Sequence, residues 1–304
     1  MSPRLAAISV DLDEIGHYHA IHGLPAPRAE HRPIHDTAIP RLRSWARGLS
    51  LPLTLFVIGA ELRRPESAQA LRLAASEGHE LGNHSLDHRY DLTLLPEPEQ
   101  QRQIAEGSAA IEALGAPRPR GFRAPGYTVS DRLLQIVART GHRYDSSVFP
   151  CPAYLGAKLA VLGAMRATGR RSRSIAGDPR VLLAPRRPYR LGSPYWRRGA
   201  GITEVPIQVT PLFRLPLIGT SLGLLPAPLA APLLASCAPG PVNLELHGID
   251  ALDDTDGLAA LRGHQPELRT PWPVKLARIE AAVRLLRGLG YRFVTLEELA
   301  ERSA

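Results

Sequence analysis

Short apolar runs alternate with longer stretches of helical periodicity along most of the chain. Eight runs have the length and composition of β-strands: LAAISVDLD, LPLTLFVIG, HELGNH, GFRAPG, HRYDSS, ITEVPIQVT, VNLELHG and RFVTL. Helical periodicity lies near 38–48, 65–77, 97–114, 130–140, 228–237 and 274–289. A series of strand, helix and strand predicts a parallel sheet with crossover helices. Seven or eight such units predict an α/β fold, a (β/α) barrel, in a single domain over residues 1–304.

Two segments interrupt this alternation. Residues 151–200 look like an insertion, and within them residues 166–198 are rich in arginine with a single acid, Asp178. A basic face of this kind suits phosphate or an anionic lipid surface, and a solvated loop is the equal alternative. Residues 215–240 carry no charge, but their prolines and glycines argue against one spanning helix. We expect a buried loop and helix there, or a surface that touches lipid.

The composition is that of an ordinary globular protein, with 44% hydrophobic and 22% charged residues and a net charge of +8. Only Cys151 and Cys237 could form a disulfide, and nothing in their contexts suggests one, so a reducing compartment fits. The N-terminus shows no signal peptide pattern, which predicts a cytoplasmic protein.

The predicted strands deliver reactive side chains where they end. In barrels of this type, function lies at the carboxyl ends of the strands. The side chains expected at that edge are Asp11 and Asp13, then His84, Arg123, Asp145 and His247. Their convergence is stronger evidence than any one motif.

The first of these groups is the pair of acids in SVDLDE. Residues i and i+2 of a strand point the same way, so Asp11 and Asp13 are expected side by side. Two adjacent carboxylates repel unless a cation or a proton is shared, and a metal would resolve that repulsion. The alternative is a pair of acids that cap a loop.

The second group is GHELGNHSLDHRYDL, residues 78–92. If Asn83 caps a short helix, His84 and His88 lie one turn apart on one face and can bind one ion. With Asp13 the set becomes two histidines and one carboxylate, which leaves coordination positions open for water and substrate. Asp87 could support these ligands from behind.

Two later motifs add polar groups to the same edge. In FRAPGY, Arg123 can pair with a carboxylate, and the turn can aim a backbone N–H of Gly126 or Tyr127 at an oxyanion. In VNLELHGID, His247 could protonate a leaving amine, with either Asp145 or Asp250 orienting it. A surface arginine and a core histidine are the plainer alternatives.

Together these motifs resemble the polysaccharide deacetylase family, also called the NodB-homology domain or carbohydrate esterase family 4. SVDLDE, HSLDH, RAPGY, YDSSVF and LELH follow the order of the family's five motifs. Two features differ: Leu12 separates the two acids of the first motif, and Phe149 stands where the fourth usually has tryptophan.

The resemblance implies a distorted (β/α) barrel and a role for each motif residue. Asp11 would be the general base and His247 the general acid, with Arg123 holding Asp11. Asp13, His84 and His88 would bind one divalent metal ion. The ligand set favours Zn²⁺, and Co²⁺, Ni²⁺ or Mn²⁺ would fit the same site.

The substrate implied is an N-acylated amino sugar. Because a cytoplasmic enzyme does not meet the cell wall, we expect a sugar on a lipid or polyprenyl-phosphate carrier, with peripheral contact to an anionic membrane. The Asp-x-Asp first motif is also similar to that of the undecaprenyl-linked formamido-arabinose deformylases, so the acyl group could be acetyl or formyl. A deacetylase of a polysaccharide or peptidoglycan-type polymer is the alternative.

Other classes of function fit less well. A non-catalytic carbohydrate- or phosphate-binding barrel would not need the complete set of acids and histidines. Nucleic acid is not expected as a partner, because residues 166–198 lack the interleaved aromatics of single-strand binders. Five histidines between residues 17 and 35 could form a second metal site, although a place in the cleft or in solvent is favoured.

Overall fold

The computed structural model describes residues 4–303, and its strands form one mixed sheet. The nine strands of these residues are β1 (Arg4–Asp11), β2 (Thr54–Val57), β3 (Glu80–Asn83), β4 (Gly121–Phe122), β5 (Tyr144–Asp145), β6 (Tyr189–Leu191), β7 (Arg198–Glu204), β8 (Val242–His247) and β9 (Tyr291–Phe293). The ten α-helices are α1 (Ile15–Ile21), α2 (Ile39–Gly48), α3 (Pro65–Ser76), α4 (Glu97–Glu112), α5 (Asp131–Arg139), α6 (Pro152–Ala167), α7 (Gly219–Leu224), α8 (Ala227–Ala235), α9 (Trp272–Gly288) and α10 (Leu296–Ser303).

The sheet runs in the order β6-β7-β5-β4-β3-β2-β1-β8, and β9 also pairs with β1. Every pairing is parallel except that of β6 with β7. Helices cover the outside, so β1 is buried along almost its whole length and reads as a continuous apolar run. The predicted distorted (β/α) barrel is confirmed, with eight parallel strands and one antiparallel strand among residues 4–303.

Side-chain hydrogen bonds, together with one isolated backbone bridge between Ile218 and Glu245, link β8 to the segments that follow β5 and β7. The amide of Asn243 donates to the Ser146 hydroxyl at 3.2 Å and to the Pro206 carbonyl at 3.4 Å. The backbone N–H of Asn243 donates to the side chain of Gln208 at 3.3 Å. These polar bridges account for the distortion of the barrel at this point.

All eight predicted strands coincide with observed strands, and the six predicted helices with α2, α3, α4, α5, α8 and α9. Sequence analysis missed β6, α1, α6, α7 and α10. Three residues are too few for β6 to show periodicity, and the histidines of α1 masked its helical pattern.

The arginine-rich segment contributes to the same sheet as the rest of the chain. Residues 151–200 begin with α6, and their second half supplies β6 and the start of β7. β6 joins the sheet by pairing Tyr189 with Glu204 and Arg190 with Thr203 of β7. Residues 151–200 are therefore structurally continuous with the barrel.

The uncharged segment 215–240 forms two short helices, α7 and α8, with Pro232 inside α8. Leu217, Leu222 and Leu234 pack into the main core, whereas Leu229 is exposed. Within residues 4–303, we find no helix with the length and hydropathy required of a membrane span.

Prediction for the sheet. The backbone of β4 lies against the side chain of Tyr144 in the neighbouring strand β5. A Cβ on Gly121 would lie 2.0 Å from the ring of Tyr144. That ring cannot swing away freely, because it is buried and its hydroxyl donates to Glu80 at 2.6 Å. We expect Gly121→Ala to lower the free energy of unfolding by about 1–3 kcal/mol in chemical denaturation.

The matched control is Gly288→Ala at the end of α9, where a Cβ would meet nothing within 4 Å. It should leave the free energy of unfolding unchanged or raise it by up to about 1 kcal/mol. Equal effects of the two substitutions would contradict the close approach at β4.

Candidate active site

Strand ends bring four separated parts of the chain to one edge of the sheet. Asp11 ends β1, His84 follows β3, Arg123 follows β4, and His247 ends β8. Asp11 stands in register with His247 across the parallel pair β1 and β8. The convergence follows from the parallel strands, whose carboxyl ends share one edge.

Arg123 and Asp11 form a fully buried ion pair, with 2.5 Å between Nη1 and Oδ1. The same guanidinium donates to the hydroxyls of Ser9 and Ser146, each at 2.9 Å, and to the Ser146 carbonyl at 2.7 Å. It also lies over the ring of Phe56 at 4.1 Å. Burial alone would lower the pKa of Arg123, but the negative charges of Asp11 and Glu245, with the hydrogen bond to Asp11, together outweigh it and raise that pKa. Asp11 is thus fixed in position beside a permanent positive charge.

Asp13, His84 and His88 meet beside this pair. Oδ1 of Asp13 lies 3.2 Å from Nε2 of His84 and 3.2 Å from Nε2 of His88. All three side chains are buried, and their ligand atoms lie within 4.8 Å of one another. Although these atoms are close, Oδ1 of Asp13, Nε2 of His84 and Nε2 of His88 each lack an aligned hydrogen-bond partner within the described residues 4–303. Buried polar atoms without partners are costly, so this arrangement calls for a further group at its centre.

The loop after β3, rather than a helix, positions the two histidines. The expected helix capped by Asn83 is wrong. The Asn83 carboxamide instead accepts from the backbone N–H of Ser85 at 2.9 Å, and the chain then continues without helical structure. Ser85 and His88 both adopt left-handed backbone conformations, with φ of 65° and 51°. Such conformations are disfavoured for residues other than glycine and are held here by the surrounding structure.

A hydrogen bond fixes which nitrogen of His84 faces Asp13. Nδ1 of His84 lies 2.7 Å from the Arg123 carbonyl oxygen. A carbonyl can only accept, so Nδ1 carries the hydrogen of the neutral ring and Nε2 presents its lone pair. His84 is therefore oriented as a ligand by the residue that also holds Asp11.

The charges of the cluster shift the pKa values of its members. Burial would raise the pKa of Asp13, but His88 and His84 outweigh it and hold that pKa well below its usual range. Burial also lowers the pKa of His88 despite the attraction of Asp13. The carboxylate and at least one neutral imidazole are the forms that bind metal ions.

Glu245 orients His247, a role that sequence analysis assigned to Asp145 or Asp250. Nδ1 of His247 lies 2.9 Å from Oε1 of Glu245, which is fully buried. Burial would lower the pKa of His247, but Glu245 and then Asp11 raise it well above its usual range. Glu245 and His247 are i and i+2 in β8, so the alternation that linked Asp11 and Asp13 could have found this pair too.

Asp145 and Asp250 lie behind the site. The Asp145 carboxylate accepts from the hydroxyl and backbone N–H of Ser147, at 2.8 and 3.0 Å, and does not reach His247. The expectation that Asp145 orients His247 is therefore wrong, because β5 points its carboxylate back into its own loop. Asp250 accepts from the backbone N–H of His247 at 2.9 Å and so supports the chain rather than the ring.

The RAPGY turn contributes the side chain of Tyr127 to the site. Its hydroxyl lies 3.4 Å from Nε2 of His247. Of the two expected oxyanion donors, Gly126 and Tyr127, the backbone N–H of Tyr127 donates to the Ala124 carbonyl at 3.0 Å and is thus occupied within the turn. Gly126 and Tyr127 both have positive φ, and the Gly126 carbonyl accepts from Lys158 at 3.0 Å.

The support expected from Asp87 does not hold. Asp87 is exposed and accepts from Gln103 at 2.8 Å, so it does not support the histidines. The histidines between residues 17 and 35 lie in different surroundings, and no cluster of metal-ligating groups among the described residues includes them. His35 lies 3.2 Å from Glu14, His17 packs against His88, and His22 lines the pocket described next.

A cavity of about 410 Å³ opens onto these groups. Asp11, Asp13, Tyr127 and His247 line it. Part of the remaining lining comes from α6, through Tyr154, Ala157, Val161 and Leu162, and another part from Tyr18, Gln265 and Glu267. The acids and the histidine therefore share one cavity with an apolar helix face and with further polar groups.

The residues present suit a divalent metal ion. Two imidazole nitrogens and one carboxylate oxygen converge without other partners, which is the ligand set of catalytic metal sites with open positions. A hydrogen bond to a carbonyl behind a ligating histidine is the usual support for such a ligand.

Comparisons with known proteins point to one family. Residues 37–144 match the family model described as polysaccharide deacetylase. The chain is 35% identical over 92 residues to a chitooligosaccharide deacetylase of Sinorhizobium fredii, covering 30% of this chain and 41% of that protein. It is 24% identical over 147 residues to a peptidoglycan deacetylase of Helicobacter pylori, covering 47% and 49%. The chain thus spans about half or less of the length of these relatives.

A solved structure resembles the whole chain. A Mycobacterium smegmatis protein assigned to the polysaccharide deacetylases superposes with a TM-score of 0.64 at 18% identity, covering 100% of this chain and 91% of that one. At this identity the likeness concerns the fold.

Prediction for the metal site. We expect purified protein to hold about one equivalent of a divalent metal ion by elemental analysis, and His84→Ala/His88→Ala to hold almost none. The matched control is His31→Ala/His264→Ala, which removes two histidines outside the cluster and should keep the metal. Loss of metal from both variants, or none in the parent after reconstitution, would contradict the assignment.

Proposed function

We propose that this chain, which carries a polysaccharide deacetylase domain of the NodB-homology type, is a metal-dependent hydrolase that removes an N-acyl group from an amino sugar. The observation that carries the proposal is the cluster of Asp13, His84 and His88 beside two acid–base groups of opposite character. Asp11 is a carboxylate held by Arg123, and His247 is an imidazole held by Glu245. Amide hydrolysis needs a base for water and an acid for nitrogen.

Asp13, His84 and His88 would hold the metal ion. When bound, such an ion acts as a Lewis acid on the acyl carbonyl and lowers the pKa of water. Zinc suits two imidazoles and one carboxylate, and Co²⁺, Ni²⁺ or Mn²⁺ would suit them as well.

Asp11 is the general base of the proposed reaction. Its Oδ1 is occupied by Arg123, which leaves Oδ2, 3.8 Å from Nε2 of His84, to accept the proton of the attacking water. Arg123 holds the other oxygen of this carboxylate in a charge-assisted hydrogen bond, so the direction of Oδ2 is fixed.

His247 is the general acid. Glu245 holds Nδ1 and keeps the ring protonated, so Nε2 can give its proton to the departing nitrogen. The Tyr127 hydroxyl, 3.4 Å from that nitrogen, borders the same position and is placed to steady the acyl oxygen or the leaving group. The products are a carboxylic acid and a free amine.

The relatives support an acylated amino sugar as the substrate. Those reported above are named for deacetylation of chitooligosaccharide and of peptidoglycan. Hydrolysis of a polysaccharide or peptidoglycan-type polymer therefore fits this site as well as hydrolysis of a sugar linked to a lipid or polyprenyl phosphate.

A lipid-linked sugar is supported by the apolar surface at the cavity mouth. In α6, Met165 is buried, whereas Leu159 and Val161 are exposed, and Val161 also lines the cavity. Leu212 and Phe213 are 69% and 76% exposed on the chain that leads to the cavity residue Ile218. Exposed apolar side chains beside an arginine-rich segment suit an acyl or polyprenyl chain and an anionic membrane surface. On this basis we propose a glycolipid or polyprenyl-phosphate-linked glycan, with acetyl or formyl as the group removed.

Prediction for the reaction. The protein loaded with Zn²⁺ should release amine from N-acetylated chitooligosaccharides, or from an N-acetyl or N-formyl amino sugar on a polyprenyl phosphate. Asp11→Asn should lose at least about a thousandfold in kcat, since the base is removed, while keeping its metal. The assay measures free amine and the carboxylic acid together.

Each outcome separates the proposals. Turnover of the carrier-linked sugar alone, with flotation of the protein on anionic vesicles, supports the lipid-linked substrate. Turnover of the oligosaccharides alone supports the polymer. Full activity of Asp11→Asn would contradict the mechanism, and turnover of none by the metal-loaded parent would favour a carbohydrate-binding barrel without turnover.

Prediction for the pH profile. The raised pKa of His247 keeps the imidazolium form present at neutral pH, and activity should fall as pH rises through that pKa. Glu245→Gln removes the partner charge, so the pKa should fall and the alkaline limb of the kcat profile should move to lower pH. Asp145→Asn is the matched comparison and should leave the position of that limb unchanged. A shift in Asp145→Asn and none in Glu245→Gln would contradict the observed pairing.

A further inference from the structure

One wall of the cavity carries two buried polar atoms that the proposed chemistry does not use. Oε2 of Glu267 and the hydroxyl of Tyr18 are both buried, both without a hydrogen-bond partner in residues 4–303, and both residues line the cavity. Glu267 is 2% exposed and Tyr18 7% exposed. Neither residue belongs to the metal cluster or to the acid–base pair. Unpartnered buried groups facing a cavity are what a bound polar ligand would satisfy.

The two groups lie at the same end of the cavity, near the general acid. The ring centroids of Tyr18 and His247 are 6.4 Å apart. Glu267 lies in the 3₁₀ turn Pro266–Arg269, next to Gln265, which also lines the cavity and contacts His22 at 3.0 Å. This part of the lining is thus built from the turns after β8 and from α1.

Charged groups surround the buried carboxyl group of Glu267 and shift its pKa. Burial and the nearby Asp250 raise the pKa of Glu267 to about 7. Lys275, buried behind this region, donates to the carbonyls of Ile249 and Leu252 at 3.2 and 2.6 Å and offsets part of the negative charge. Burial and the neighbouring carboxylates raise the pKa of Tyr18 well above its usual range, so its hydroxyl stays neutral.

We propose that Glu267 and Tyr18 form a subsite that binds the hydroxyl groups of the sugar and so selects a polyol as substrate. A hydroxyl can donate to the Glu267 carboxyl group and accept from the Tyr18 hydroxyl. An ammonium group could not accept from Tyr18, and a phosphate would bring negative charge beside the buried Glu267 and Asp250 carboxyl groups. Neighbouring sugar hydroxyls meet both needs without bringing charge into a buried region.

This subsite orients the sugar relative to the reacting bond. With its hydroxyls against Glu267 and Tyr18, the amino sugar turns its less polar surface toward Ala157 and Val161 of α6 and its acylated nitrogen toward His247. The inference rests on the proposed amino-sugar hydrolase, and it makes Glu267 and Tyr18 determinants of specificity rather than catalytic residues.

The test compares a sugar substrate with one that lacks hydroxyls. Di-N-acetylchitobiose and 4-nitroacetanilide are each offered as substrate to the metal-loaded parent, to Glu267→Gln and to Tyr18→Phe. The value of kcat/KM is measured for each protein with each substrate. We expect each variant to lose roughly ten- to hundredfold on the sugar, mainly through KM, and less than about twofold on the anilide. Tyr195→Phe is the matched control, since Tyr195 also has a buried hydroxyl without a partner but does not line this cavity. It should match the parent on both substrates.

A second measurement tests the subsite independently of hydrolysis. Calorimetry measures the binding of di-N-acetylchitobiose to the same metal-loaded proteins. If the parent binds the sugar without hydrolysing it, and both variants bind roughly tenfold more weakly, the proposed reaction fails but the subsite stands. If the variants bind the sugar as the parent does, or lose equal activity on both substrates, the subsite is overturned. Thermal unfolding identifies any variant that fails to fold, and Glu267→Asp then replaces it, with weaker sugar binding again expected.

Discussion

The buried charge of Arg123 is the constraint on which the rest of the site depends. A guanidinium withdrawn from water must have its donors satisfied and its charge matched, or the fold loses several kcal/mol. Arg123 meets this demand by reaching Ser9 and Asp11 at the end of β1 and Ser146 after β5. Its own carbonyl fixes His84 after β3. One side chain therefore sets both the position of Asp11, the proposed base, and the orientation of His84, a proposed metal ligand, which couples folding of the barrel edge to assembly of the site.

Sequence reasoning worked where the backbone repeats. Parallel strands have carboxyl ends at a common edge, so a list of strand ends was enough to bring Asp11, His84, Arg123 and His247 together. Alternation within a strand also predicts that Glu245 and His247 lie on the same face of β8. The partners considered for His247 from sequence were instead Asp145 and Asp250, which lie outside that strand. The barrel and the cluster of Asp13, His84 and His88 were accessible from local pattern and motif order alone.

It failed where tertiary contacts override local pattern. The spacing of His84 and His88 predicted a helical turn, yet Asn83 and two left-handed residues place both rings from an irregular loop. Such conformations are stabilised by the packed surroundings and leave no periodic signal. Asp145 was misassigned for a similar reason, because the direction of a side chain at the end of a two-residue strand depends on its own loop. The apolar exposed face of α6 was hidden by the arginines that follow it.

The antiparallel strand β6 affects the tendency of the folded molecule to aggregate at high concentration. A parallel sheet that ended at β7 would present a row of free backbone groups to any other extended chain. β6 covers that row, and it is only three residues long, breaks register between Arg190 and Leu191, and points Arg190 into solvent. Short length, irregular pairing and an outward charge are features by which natural sheets discourage intermolecular strand addition. Part of the arginine-rich segment thus serves the solubility of the folded chain, whatever its ligands.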